Sequence, residues 1–344
     1  MKKLWGCILV FAVLLTGCRS ASVLSFDVWR PAKVTFPADI VRVTVVNNSA
    51  EPNEKEGNKY KDISGREYTL VVPHDSTTYR LAEYIALELS DAHYFPEITI
   101  FYDDSITLPK SLYPLLSENQ LSIVRGGDNT AVVSLDKTDM VVKMEDHTLL
   151  GSSGETVFVT DLSVATTLNL RVYWPNKIEP SSEMATDTLY WQSFGYTPDD
   201  AHSSLPLTAE FIQEAMRQIS ARVRELFIPH VDNVNRYIYT STNPAMDDAY
   251  DFWQQKKYKE ASYLWEYVYE EQKNETTRAM AAANLAVYNE LFDNYKVAIE
   301  WVDKSLSLFE KRVDSNASDI TALRDYRRQL MERKSDNSLL QKQM

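Results

Sequence analysis

Cysteine is nearly missing from this 344-residue chain, which has only Cys7 and Cys18. Both stand at the amino terminus, so everything after Cys18 is without a disulfide partner. That body must therefore hold together by apolar burial and hydrogen bonding. Histidine is scarce too. No two of His74, His93, His147, His202 and His230 stand at a metal-ligand spacing, and no His-Glu-x-x-His occurs, so neither a metal nor a cofactor is expected. None of the nine glycines belongs to a phosphate-binding loop, and Gly151-Ser152-Ser153-Gly154 lacks the spacing of a nucleophile elbow. Basic residues number 36 against 49 acidic ones, a net charge of -13, which disfavours nucleic acid as a partner. The apolar run at residues 8–15 is too short to span a bilayer.

What is present begins with Lys2-Lys3, then that apolar run, then Leu15-Thr16-Gly17-Cys18. Residues 1–17 therefore read as a signal peptide. The last four residues resemble the lipobox of bacterial lipoproteins, which implies that Cys18 is acylated, with palmitate-type chains, and becomes the first mature residue. Acyl chains at roughly 0.8 kcal/mol per buried methylene hold a domain at a membrane without a spanning helix. Arg19-Ser20-Ala21 follows with no aspartate beside the cysteine, which by analogy with lipoprotein sorting implies the periplasmic face of the outer membrane. Residues 18–38 show no clear period, contain Pro31 and Pro37, and read as a tether.

The body reads as α+β or α/β: a sheet-and-helix domain over residues 39–240, then an all-α array over 243–334 and a tail at 335–344. Residues 40–46 form a β-branched run typical of a strand buried on both faces. Leu81, Ile85 and Leu89 mark a helix over 76–92, with Ser76 or Thr77 as its N-cap, and residues 98–102 give the next strand. A short helix at 115–124 and a strand at 140–144 follow. Leu168, Leu170, Val172 and Trp174 alternate with polar residues and should pair with residues 188–194 as a hairpin. Residues 208–228 form a long amphipathic helix stopped by Pro229.

This order resembles the periplasmic α/β domain shared by the curli-secretion lipoprotein CsgG and the N-terminal part of TolB. The chain is also similar to an uncharacterised family of Bacteroidetes lipoproteins with tetratricopeptide-like repeats. The residues that carry this similarity are Arg30-Pro31-Ala32, Pro229-His230 and Arg236-Tyr237-Ile238-Tyr239.

Tyr258-Lys259-Glu260-Ala261 returns as Tyr295-Lys296-Val297-Ala298, an offset of 298 minus 261, or 37 residues. That is the period of a helical hairpin. Ala249 and Ala286 are small residues at matching positions, and Leu285-Ala286 and Trp265 fit the tetratricopeptide pattern, which the array resembles. The period is about three residues longer than the usual 34, with the excess placed near residues 271–276. Ile320, Leu323, Tyr326 and Leu330 mark a capping helix.

In that repeat family the partner groove is lined by outward positions of the first helices, which map here to Met246, Tyr250, Trp253, Val287 and Glu290. Lacking the lysine and asparagine of a carboxylate clamp at these places, the groove should take an apolar or aromatic segment of an envelope protein. Other chemistry is sparse. Glu145-Asp146-His147 is the densest ligand-like cluster, Asp103-Asp104 ends a strand, and Trp174 with Trp191 could form a glycan platform. The reading is a non-enzymatic scaffold at the membrane, with a glycan-binding accessory protein or an envelope hydrolase as alternatives.

Overall fold

The computed structural model describes residues 20–101, 115–176, 179–311 and 317–344. The signal peptide, Cys18 and Asp103-Asp104 lie outside the described residues. The chain divides into two compact units. Ala32–Ile228 form a sheet unit, while Pro229–Met344 join the described residues up to Pro31 in a helical unit. The first strand, β1 (Ser20–Arg30), thus stands in the supposed tether and belongs with the helices. Among the described residues no helix is long and apolar enough to cross a membrane.

In the sheet unit β2 (Arg42–Asn47) is buried along most of its length, as its β-branched run requires. The polar stretch after it contains β3 (Lys59–Lys61), which forms a small hairpin with β4 (Glu67–Thr69). Helix α1 (Thr77–Asp91) leads to β5 (Glu97–Phe101), and α2 (Glu118–Arg125) leads to β6 (Thr130–Leu150). Two further long strands, β7 (Thr156–Tyr173) and β8 (Ser181–Gly195), precede a short helix α3 (Pro198–Ser203) and α4 (Thr208–Phe227).

β2 runs parallel to β5 on one side and to the first part of β6 on the other. β7 lies antiparallel to β6 along nearly its whole length and carries β8 on its far edge as the expected hairpin, but the register sets Leu168 opposite Ala185, and residues 188–194 lie opposite 165–159 rather than 168–174. Since β7 takes one edge of β6, β2 and β3 share the other at different heights. Leu81, Ile85 and Leu89 of α1 pack with Phe211, Ile219 and Phe227 of α4 over one face of the sheet. Leu121 and Val124 of α2 meet Val46 and Val132 on another side of the same strands.

Two expectations need correction here. Ser76 occupies the cap position of α1 with a left-handed backbone, φ 58°, and its side chain makes no cap hydrogen bond. The carboxylate of Glu51 does that work, accepting from the Thr78 backbone N–H at 3.1 Å and from its hydroxyl at 2.9 Å. The strand expected at residues 140–144 is a fragment of the 21-residue β6. Its length was hidden by the register shift between Leu135 and Lys137, where Asp136 is buried. The Asp136 carboxylate accepts from Ser134 at 2.6 Å and Asn48 at 3.0 Å and pairs with Arg171 at 2.7 Å.

In the helical unit β9 (His230–Thr240) pairs antiparallel with β1 at every position from Ser20 opposite Thr240 to Arg30 opposite His230. Five helices follow: α5 (Pro244–Gln254), α6 (Tyr258–Glu271), α7 (Glu275–Leu291), α8 (Tyr295–Glu310) and α9 (Ala317–Gln343). They form the tetratricopeptide-like array, with Ala249, Ala261, Ala286 and Ala298 fully buried where helices approach closely. The turns inside both hairpins repeat as well. Lys256 and Asp293, 293 minus 256 or 37 residues apart, have φ of 60° and 58°. Asn243 and Asn274 cap α5 and α7 through their side chains. The expected domain boundary at residue 240 moves to 228, because β9 finds its partners in β1 and the helices.

Candidate functional site

The groove expected of the repeats falls on α5 and α7, the first helices of the two hairpins. That groove is already covered by the chain itself. Ile238 and Tyr239 of β9 are buried with Met246, Ala249, Trp253, Ala283 and Val287. Asn284, from the middle of α7, closes a two-way link to the strand. Its carbonyl accepts from the Tyr239 N–H and its amide donates to the Tyr239 carbonyl, both at 2.8 Å. The side chain thus completes the edge of β9 as another strand would. On the other strand the Tyr250 hydroxyl donates to the Ser22 hydroxyl at 2.8 Å.

The five residues expected to line an open groove are therefore placed against the ribbon, which corrects their assignment. Met246, Trp253, Val287 and Glu290 are buried and Tyr250 is half-buried. Their apolar character does accept an apolar, aromatic segment, but that segment is residues 236–239 of the same chain.

Glu290 shows how firmly the ribbon is held. Its fully buried carboxylate accepts from Arg236 Nε at 2.6 Å and Nη2 at 2.7 Å, a two-pronged pair from β9 to α7. Arg333 of α9 adds a bond at 2.6 Å and the Tyr326 hydroxyl another at 2.8 Å. Arg333 also donates to the Tyr295 hydroxyl at 2.8 Å, and that hydroxyl donates to Asp293 at 2.5 Å. Strand β9 and helices α7 and α9 thus meet at one carboxylate, and α8 joins them through Tyr295 and Arg333.

Burial alone would push the Glu290 carboxyl up, but the hydrogen bonds and charge of Arg236, joined by Arg333 and Tyr326, outweigh it and hold it below its ordinary value. Burial opposes the charge of Arg236, and Glu290 more than restores it. The Tyr326 hydroxyl is pushed well up by burial and then by the neighbouring negative charge. The group stays ionised and saturated, as a fixed joint rather than an acid or base.

The sheet unit holds a second polar cluster. Asp146, also buried, accepts from the Tyr60 hydroxyl at 2.6 Å, from Thr160 at 2.8 Å and from His202 Nε2 at 2.8 Å. Burial first, and then Asp146, raise the Tyr60 hydroxyl. The carboxylate pins α3 to the sheet through His202 and orients that ring. The neighbours of Asp146 in sequence point to the other face, as strand alternation demands, with Glu145 paired to Lys61 and His147 to Asp161. The expected Glu145-Asp146-His147 cluster is thereby split. Trp174 is buried against Phe36, and Trp191 is half-buried against Phe211, so the pair forms no exposed platform.

Sequence reasoning missed Asn284 and Arg333, and read Arg236 only as part of a motif and Tyr326 only as part of the capping helix's apolar stripe. One signal was available: Val234, Arg236 and Ile238 alternate with Asn233, Asn235 and Tyr237, the period of a half-buried strand.

No curated protein matches the chain. A Helicobacter pylori crystal structure described as a neuraminyllactose-binding hemagglutinin homolog aligns at 15% identity over 56% of this chain and 84% of its own. Its TM-score is 0.26, too low to carry a conclusion. Residues 247–332, the hairpins and most of the capping helix, match a domain of unknown function, DUF6340. Residues 40–239 match another, running from the sheet unit through β9. With that match covering more than half of its 344 residues, the chain belongs to the family described as Domain of unknown function (DUF8603).

Proposed function

We propose that this protein is a lipoprotein anchored through Cys18 at the periplasmic face of the outer membrane, acting there as a non-enzymatic scaffold for another envelope protein. The observation that carries this reading is the helical array with its groove closed by its own ribbon. Such an array is a rigid platform, and its outward surfaces are left to meet a partner. Tyr263 and Tyr267, one turn apart on α6, are both more than half exposed. A photo-crosslinking side chain placed at either position in native envelopes should give a discrete adduct, while the same probe at Tyr196 of the sheet unit should not. Adducts from Tyr196 alone, or from none of these positions, would overturn the reading. Replacing Cys18 with alanine should release the protein from the membrane fraction.

Glycan binding remains a second reading on one observation. Tyr190 and Phe194 stand four residues apart on β8, facing the same side, 76% and 54% exposed. Retention of Tyr190→Ala unchanged on an envelope-glycan column would remove it.

A further inference from the structure

Two depressions in the helical unit share β1 as one wall. The first, about 200 Å³, has residues 22–24 of β1 on one side and Gln254, Lys256 and Tyr258 on the other, with Tyr250 and Trp253 between. The second, about 340 Å³, has residues 26–29 of β1 facing Leu291, Asp293 and Tyr295, with the end of α9 beside them. The opposing walls are one repeat position used twice, since 291 minus 254, 293 minus 256 and 295 minus 258 are each 37. Successive hairpins therefore present equivalent turns along a single strand edge.

α9 touches β1 at one end, where Arg30 pairs with Asp336 at 3.0 Å. Among the described residues β1 pairs with β9 and with no other strand. Its 11 residues contain no proline, no lysine and no bulge, so that of the usual devices against edge-to-edge pairing it carries only the charges of Asp27 and Arg30. An extended chain laid on it would place alternate side chains over the two depressions.

We propose that the free edge of β1 accepts an extended segment of a partner protein by strand addition, with the two depressions selecting its side chains. The proposal rests on the scaffold reading and names its surface. The first depression, with Tyr250, Trp253 and Tyr258, suits an apolar or aromatic residue. Lys256, exposed and in no ion pair among the described residues, calls for an acidic residue near it. At the second depression Asp27 is met, among the described residues, by the Asn233 amide at 3.0 Å, and Asp293 accepts from the Tyr295 hydroxyl and lies 3.7 Å from an Arg333 already committed to Glu290. A basic residue fits there. The depressions are centred four to five residues apart on β1, or roughly 15 Å at about 3.3 Å per residue.

The test uses the purified full-length lipoprotein and a labelled nonapeptide alternating with threonine, its odd positions being glutamate, phenylalanine, valine, lysine and valine. It should bind at least tenfold more tightly than its counterpart with glutamate and lysine exchanged. The double substitution K256E/D27K, at two exposed positions outside the Glu290 network, should invert that preference while leaving the far-UV spectrum unchanged. Absence of binding, or a preference indifferent to the double substitution, would overturn strand addition. In native envelopes a crosslinker replacing Lys256 should give the same adduct as one at Tyr263. An adduct from Tyr263 but none from Lys256 would sink the strand mode and leave the scaffold reading standing. Silence at both would sink the two together.

Discussion

Two buried carboxylates, Glu290 in the helical unit and Asp136 in the sheet unit, are treated in opposite ways. In the helical unit Glu290 receives two guanidinium groups directly, and its carboxyl is held below the ordinary value near 4.5. In the sheet unit burial dominates Asp136, whose one guanidinium and two neutral donors leave it above the ordinary value near 3.8. Removal from water penalises both, and the guanidinium groups hydrogen-bonded to Glu290 outweigh it where the charge of Arg171 beside Asp136 does not. The helical unit therefore relies on an ionised joint where helices and strands converge. The sheet unit, with a layered core of valine, leucine and phenylalanine, keeps its buried aspartate as a local cost at a register shift.

The contrast breaks most sharply at Glu290. The change Glu290→Gln leaves Arg236 and Arg333 buried without a counter-charge, and should lower the stability of the helical unit by about 3–5 kcal/mol. Calorimetry should show one transition falling while the sheet transition holds, and a joint fall would mean the units do not unfold separately. Next comes Asn284→Ala, which strands the buried N–H and carbonyl of Tyr239. Taking the lower part of the range, about 1–2 kcal/mol, for each of the two orphaned groups, roughly 2–4 kcal/mol is expected, read as a shift in denaturant midpoint with an unchanged slope.

Acid should sharpen the comparison. The lowered Glu290 value means that its stabilisation is full above pH 4.5 and drains as pH falls below that through the folded value. The raised Asp136 value means the reverse. Its contribution is full below pH 3.8 and is lost as pH rises through the folded value. On acidification below 4.5 the helical unit should weaken while Asp136 ceases to burden the sheet unit. Tryptophan emission from variants retaining only Trp265 or only Trp174 would separate the two, and equal acid midpoints would refute the assignment. The smallest expected effect is Tyr250→Phe, which removes one hydrogen bond to Ser22 for about 1 kcal/mol.

Much of the fold was legible locally. The β-branched run of β2, the apolar stripe of α4, the β7–β8 pairing and the 37-residue offset of the hairpins each declare themselves within a short window. β6 was read in part, because Asp136, Lys137 and Asp139 interrupt its apolar pattern. The ribbon was not legible as such, since its two strands stand far apart in sequence, with Ser25 and Asn235 separated by 210 residues. For the site, the positions of the groove residues were readable from the repeat pattern. The occupant was not, because nothing in a repeat motif says whether its ligand comes from another chain.

The complete pairing of β1 with β9 has a topological consequence. Arg30 and His230 are partners across the ribbon, so the sheet unit is, in sequence, a long insertion at the tip of a hairpin. Excising residues 32–228 and joining the strands by a short turn should therefore leave a miniature protein with every contact of the ribbon and array intact. The excision also exposes a timing problem that the full chain must solve in the cell. The strand made first cannot find its place until the helices made last have folded, and the whole sheet unit is synthesised in the interval.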